Sequence, residues 1–108
     1  MSDREPKAFE RYLLIDDIRN VKADAIARTA REGMEALKSC EFSHLILDND
    51  LGGSFEGRHI LKWAIENNCV PDNVTLITSN PVARRAMEDM LELDLGYTFN
   101  VRTGWWSS

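Results

Sequence analysis

His44-Leu45-Ile46-Leu47-Asp48-Asn49-Asp50-Leu51-Gly52-Gly53 is the stretch that decides the fold. An apolar run of strand length stops abruptly at a carboxylate, and a glycine pair then breaks the chain, as at the carboxyl end of a buried strand. The same figure occurs upstream, where Arg11 to Ile15 runs into Asp16-Asp17, and downstream, where Val74 to Ile77 ends at Thr78. Between these runs the period changes. Arg31 to Cys40 carries Met34 and Leu37 at helical spacing, and Phe55 to Asn68 carries Ile60, Leu61, Ala64 and Ile65 as one apolar stripe. Asn80-Pro81 starts a further helix in good order, with Asn80 as N-cap, Pro81 at the first helical position and Met87, Met90 and Leu91 facing inward. Ala25 to Thr29 is a weaker strand candidate and Tyr97 to Val101 a last one. Strands alternating with helices predict an α/β domain with a mostly parallel sheet, whose ligands bind beyond the carboxyl ends of the strands.

Composition sets the outer limits. With 108 residues there is room for one domain: a polar, flexible segment over 1–10, the folded unit over 11–102 and a C-terminal tail over 103–108. Thirteen Lys and Arg against 18 Asp and Glu give a net charge of −5, which opposes binding to a phosphate backbone, so nucleic acid is not an expected partner. Cys40 and Cys69 lack metal-ligand spacing and read as free thiols in a reducing compartment. The charged N-terminus has no apolar signal core and no run reaches the length of a membrane span, so the expected location is the cytoplasm.

The chemistry is expected at the strand ends. Asp16 and Asp17 end one strand, Asp48 a second and Thr78 a third, so all should meet at one rim, with Asp50 as a fourth acidic residue. Crowded carboxylates repel, and a hard divalent cation such as Mg²⁺ relieves them while keeping open positions for phosphate oxygens. The turn Thr78-Ser79-Asn80 adds hydroxyls and the positive end of the helix beginning at Pro81. Aspartate is also common in turns for conformational reasons, and Thr78 and Asn80 are ordinary capping residues, so convergence carries more weight than any one of them. His44 and His59 have no second ligand nearby in sequence and read as structural. Trp105-Trp106 is read three ways: a disordered tail, a cover for the sheet or a contact surface.

Leu14-Ile15-Asp16-Asp17, Ala27 to Leu37, Leu45-Ile46-Leu47-Asp48 and Ile77-Thr78 resemble successive landmarks of response-regulator receiver domains over residues 12 to 101. The resemblance implies a flavodoxin-like fold, three-layered or open-faced, in which Asp16 and Asp17 are the acidic pair. Asp48 would take the phosphate-accepting position, the backbone carbonyl of Asp50 would help hold Mg²⁺, and Thr78 would be the hydroxyl switch. Receivers place a lysine after the fifth strand. Here Asn100-Val101-Arg102 offers only Arg102, a planar fork that does not replace a lysine, so Asp48 is expected to resist small phosphodonors.

A closer resemblance is to the cyclic-phosphate processing receiver-like domains of bacteria and their phages, which lack the first receiver helix; only Ile18 to Asp24 separates the first two strands here. Their fingerprints match Asp48-Asn49-Asp50-Leu51-Gly52 and Ile77-Thr78-Ser79-Asn80-Pro81, except that Asn49 and Ile77 stand where the family carries histidines. The implied function is a Mg²⁺-dependent site for small or cyclic phosphoesters. Asp17 and Asp48 would bind the metal, Asp16 would orient its water, and Thr78 with Ser79, Asn80 and Arg102 would hold the phosphate. The alternative is a non-catalytic interaction module, such as a phage or mobile-element effector that binds a host protein through a degenerate receiver scaffold. In a receiver the first and last helices cover one sheet face, and both are missing here, while Tyr12 to Ile15, Leu45 to Leu47 and Leu76-Ile77 are apolar on both sides. That bare face is expected to be covered by a second copy in a symmetric homodimer, by another protein or by the Trp105-Trp106 tail.

Overall fold

The computed structural model describes residues 10–108. A six-stranded sheet in the order β2-β1-β3-β4-β6-β5 forms the frame. Its strands are β1 (Tyr12–Ile15), β2 (Ala25–Ala27), β3 (His44–Leu47), β4 (Asn73–Leu76), β5 (Thr98–Asn100) and β6 (Trp105–Ser107). The helices are α1 (Ala30–Lys38), α2 (Gly57–Glu66) and α3 (Pro81–Asp89), the last continued by a π-helical turn over Met90–Asp94. β1, β2, β3 and β4 are parallel, as the alternation of strands and helices requires.

The register is simple and aligns the strand ends. Ile15 pairs with Leu47 and Leu47 with Leu76, so the three central strands end level. The ladder runs one residue further: Asp16 N donates to Ala27 O at 3.1 Å, Asp48 N to Ile15 O at 3.0 Å and Ile77 N to Leu47 O at 3.0 Å.

Alternate strand residues supply the core. Leu13, Ile15, Leu45, Leu47, Val74 and Leu76 are buried in one cluster with Leu37 of α1, Ile60, Leu61 and Ala64 of α2, and Met87 of α3. The right-handed crossover rule places all three helices on that face, because β2→β3, β3→β4 and β4→β5 all step the same way across the sheet. The step β1→β2 runs the opposite way, and the segment 16–24 makes it without a regular helix. Asp24 anchors its end, donating from its backbone N to Tyr12 O at 2.9 Å while its carboxylate accepts from Tyr12 N at 2.8 Å.

Two expectations change here. The far face is covered at its centre, where Leu14 is 0% exposed and Ile46 6% within a single chain, while Ile26 at the β2 edge stays 42% exposed. Residues 105–107, assigned to a tail, form β6, which inserts between β4 and β5 and pairs antiparallel with both. β6 puts its two tryptophans on opposite faces. Trp106 lies opposite Val74 and joins the helix-side core at 8% exposure. Trp105 packs edge-on against His44 at 5.0 Å, and His44 is itself stacked on Tyr12 at 4.2 Å, so His44 is structural. Tyr97 closes this end by donating from its hydroxyl to Pro71 O at 2.9 Å. Among the described residues no helix is long and apolar enough to cross a membrane.

Trp106→Ala is expected to cost about 3–5 kcal/mol, the range for removing a buried tryptophan. Urea unfolding of the purified variant measures it, and a loss below about 1 kcal/mol would return Trp106 to the status of a dispensable tail residue.

Candidate functional site

A cleft of about 620 Å³ opens at the carboxyl ends of β1, β3 and β4, lined by Asp16, Asp17, Ile18, Arg19, Asp48, Asn49, Asp50, Glu56, Thr78, Ser79 and Asn80. Level strand ends bring Asp16 and Asp48 side by side, and Asp17 continues into the turn. One carboxylate oxygen from each of Asp16, Asp17 and Asp48 lies within 4.8 Å of the others. These are hard oxygen donors with no histidine or cysteine among the cleft-lining residues, a set that suits a hard divalent cation.

Electrostatics separates the two buried members. Burial is the largest influence on both and by itself raises each carboxyl. In Asp16 it is outweighed: the backbone N–H groups of Ile18 and Arg19 donate to Oδ1 at 2.9 and 3.1 Å, and Arg19 Nη1 donates to Oδ2 at 3.0 Å, which holds the group below its ordinary 3.8. In Asp48 burial prevails. Asp16 and Asp17 raise it further, while the Asn49 N–H and Arg19, whose Nη1 is 3.7 Å from Oδ1, offset it only in part. Asp48 therefore sits above 3.8.

The loops around the cluster are held by specific contacts. Arg28 pins the 16–20 turn: its Nη1 donates to Asp16 O at 3.2 Å and to Arg19 O at 2.6 Å, and its Nη2 donates to Asn20 Oδ1. Gly57 lets α2 start directly against the Asp48-Asn49 backbone, donating from its N to Asn49 O at 2.8 Å; a β-carbon there would meet Asp48 O at 1.9 Å. Asn49 is 2% exposed, and its side-chain oxygen accepts from Arg58 N at 3.1 Å, so this amide closes the start of α2. His59 accepts the Glu56 N–H on Nδ1 at 2.8 Å and also caps α2.

The expected phosphate ligands divide. Thr78 is 3% exposed, and its Oγ1 accepts the Asn80 N–H at 3.1 Å, leaving its own proton to donate. Ser79 lies exposed on the cleft wall. The side-chain oxygen of Asn80 is spent on α3, accepting from Val82 N and Ala83 N at 3.0 and 3.1 Å, so it acts as a cap. Arg102 does not line the cleft. It lies exposed on the β5–β6 turn, because β6 occupies the place beside β4 and displaces β5 outward by one strand spacing, about 4.8 Å. Asp50 lines the cleft, but its carboxylate is outside the three-oxygen cluster and accepts from Gly52 N at 3.4 Å. Arg19, which no motif in the sequence singles out, is the one basic residue lining the cleft among the described residues. The signal that would have found it is its place two residues beyond the acidic pair, on the turn that leaves the β1 end.

Residues 11–93 match the family model of the cyclic-phosphate processing Receiver domain. The chain belongs to this family. The response regulator domain of Thermotoga maritima CheB shares the fold at a TM-score of 0.55 and 15% identity, over 74% of this chain and 72% of that one. The REC domain of AraT from Geobacillus stearothermophilus aligns at a TM-score of 0.54 and 21% identity, over 76% of this chain and 74% of that one. No curated protein sequence matches.

Gly57→Ala should cost about 3 kcal/mol or more, because its clash is with backbone, whereas Gly53→Ala, which meets nothing within 4 Å, should cost under about 1 kcal/mol in the same denaturant series; equal losses would refute the close-approach argument. In metal-free buffer at pH 7, Asp48→Asn should melt higher than wild type and Asp16→Asn lower. A raised carboxyl makes the fold lose stability as pH climbs through the window above 3.8, and a lowered one makes it lose stability as pH falls below 3.8. Both differences should therefore shrink on acidification toward pH 3, and melting curves that keep them constant would show that charge is not the cause.

Proposed function

We propose that the cleft is a Mg²⁺-dependent phosphate site acting on small or cyclic phosphoesters. The observation that carries this reading is the convergence of three carboxylates, within 4.8 Å of one another, in one cleft with the hydroxyl turn that begins α3. Asp17 and Asp48 would hold the ion and Asp16, already fixed by two backbone N–H groups, would orient its water. When bound, Mg²⁺ supplies Lewis-acid polarisation of a phosphate oxygen and an activated water. Thr78 donates its free hydroxyl proton toward a phosphate oxygen, and exposed Ser79 adds a second hydroxyl. Proton transfer falls to carboxylates, because Asn49 and Ile77 carry no titratable group and Asn49 is committed to α2.

A second reading, a non-catalytic interaction module, draws on those same two residues. A site whose two histidine positions hold an amide engaged with a helix N–H and an aliphatic side chain has the scaffold of an enzyme without its usual proton shuttle. Its contact surface would include exposed Ile18, Val21 and Ile26 along the 16–24 crossover and the β2 edge, where a second copy or another protein would sit.

Thermal melts with Mg²⁺ and inorganic phosphate separate the two. At ten times its Kd, Mg²⁺ adds about 1.4 kcal/mol, on the order of 5–10 °C for a domain of this size, and phosphate should add a further rise only when Mg²⁺ is present. Monitoring ³¹P signals of a cyclic nucleotide with protein and Mg²⁺ should then show ring opening to a monoester. No Mg²⁺ shift would end the metal reading; a shift without turnover would favour the interaction module.

A further inference from the structure

Arg19 occupies the ground that a metal ion would claim. Its Nη1 makes the hydrogen bond to Asp16 Oδ2 at 3.0 Å and lies 3.7 Å from Asp48 Oδ1, so one nitrogen bridges two of the three cluster residues. The other guanidinium nitrogens make no hydrogen bond among the described residues, and the side chain is 46% exposed at the cleft mouth. Its backbone, in contrast, is fixed, since Arg28 holds the Arg19 carbonyl at 2.6 Å and the Arg19 N–H is bound to Asp16. The result is a rigidly tethered cation with a free head.

We propose that Arg19 is the counter-ion of the acidic cluster and that it exchanges places when metal binds: displaced from Asp16 and Asp48, it turns to the phosphate held on the ion. This rests on the Mg²⁺ reading given above and adds the residue that supplies the phosphate-facing positive charge. A Mg²⁺ at the usual 2.1 Å from Asp48 Oδ1 would lie within about 6 Å of Nη1 as now placed, and two cations that close repel strongly in a partly buried site. With Asp16 and Asp48 engaged by a cation, the guanidinium would lose the carboxylate charge that holds it in place. A released guanidinium on a fixed tether, in the cleft that Thr78 and Ser79 also line, would meet a phosphate in its favoured mode, as a planar fork to two oxygens. No other basic side chain lines the cleft among the described residues, and Arg102 is a strand further out.

Exchange of this kind gives opposite signs for two affinities in one variant. In calorimetric titrations of the whole chain, Arg19→Ala should bind Mg²⁺ about tenfold more tightly than wild type. With Mg²⁺ saturating, it should bind inorganic phosphate about tenfold more weakly. Arg19→Lys, which keeps the charge and loses the fork, should fall between the two in both titrations. A site merely damaged by the substitution would weaken both affinities, so that result overturns the proposal, as does an unchanged Mg²⁺ or phosphate Kd in Arg19→Ala. If neither protein binds Mg²⁺, the metal reading falls and this inference with it. If both bind Mg²⁺ equally, the metal reading stands and only the exchange is lost.

Discussion

Parallel pairing of β1, β3 and β4 with level ends is the constraint on which the remainder depends. Because Ile15, Leu47 and Leu76 lie in one row, the residues next in the chain also lie in one row, and the sequence places carboxylates at two of those three positions. Buried strand ends then push negative charges together that water would keep apart. Each nearby device answers that stress: the Ile18 and Arg19 N–H groups on Asp16, the Arg19 guanidinium across Asp16 and Asp48, and Arg28 holding the turn that delivers both. A fold seeking stability alone would not concentrate acid at this rim, where burial first, and then the charges of Asp16 and Asp17, hold the Asp48 carboxyl above its ordinary value. That unrelieved charge is what a cation would use.

The C-terminal hairpin closes one side of the parallel sheet. Left unpaired, the outer edge of β4 would be a liability in a sheet rich in leucine and isoleucine. β6 closes that edge through an antiparallel ladder and contributes two large aromatic faces, one to each side of the sheet. The same insertion determines what the site lacks, since it moves the end of β5 away from the cleft. Edge protection and a basic residue at the end of the fifth strand compete for one position beside β4.

How much of this was legible depends on whether the signal was local. Apolar runs ended by Asp16 and Asp48, and the Asn80-Pro81 helix start, are short-range patterns, and each element formed within about two residues of its expected bounds. The acid cluster was legible because the parallel sheet converts strand-end residues into neighbours by rule. Strand order was not. Nothing local to Trp105-Trp106-Ser107 says that it pairs antiparallel between two strands already expected to be adjacent, so the sequence puts Arg102 in a site it does not reach. Arg19 escapes notice for the opposite reason: it is adjacent in sequence to the acidic pair, but a solvated arginine in a turn is the ordinary case, and only the distances to Asp16 and Asp48 distinguish it.

Asn49 shows how a site position can be kept while its chemistry changes. Its backbone carbonyl accepts the Gly57 N–H and its side chain accepts the Arg58 N–H, so two of the unpaired donors at the start of α2 are satisfied by one residue beside Asp48. Any residue at 49 must first serve that helix end, whatever else it does. An amide oxygen meets that requirement and carries no titratable proton. The packing of α2 against the Asp48 backbone, enforced by Gly57, asks of residue 49 only an acceptor and not a titratable group. Selection on fold alone would leave Asn49 in place. The acidic cluster has no such structural excuse, since neither the core nor the helix ends require acidic side chains at 17 and 48.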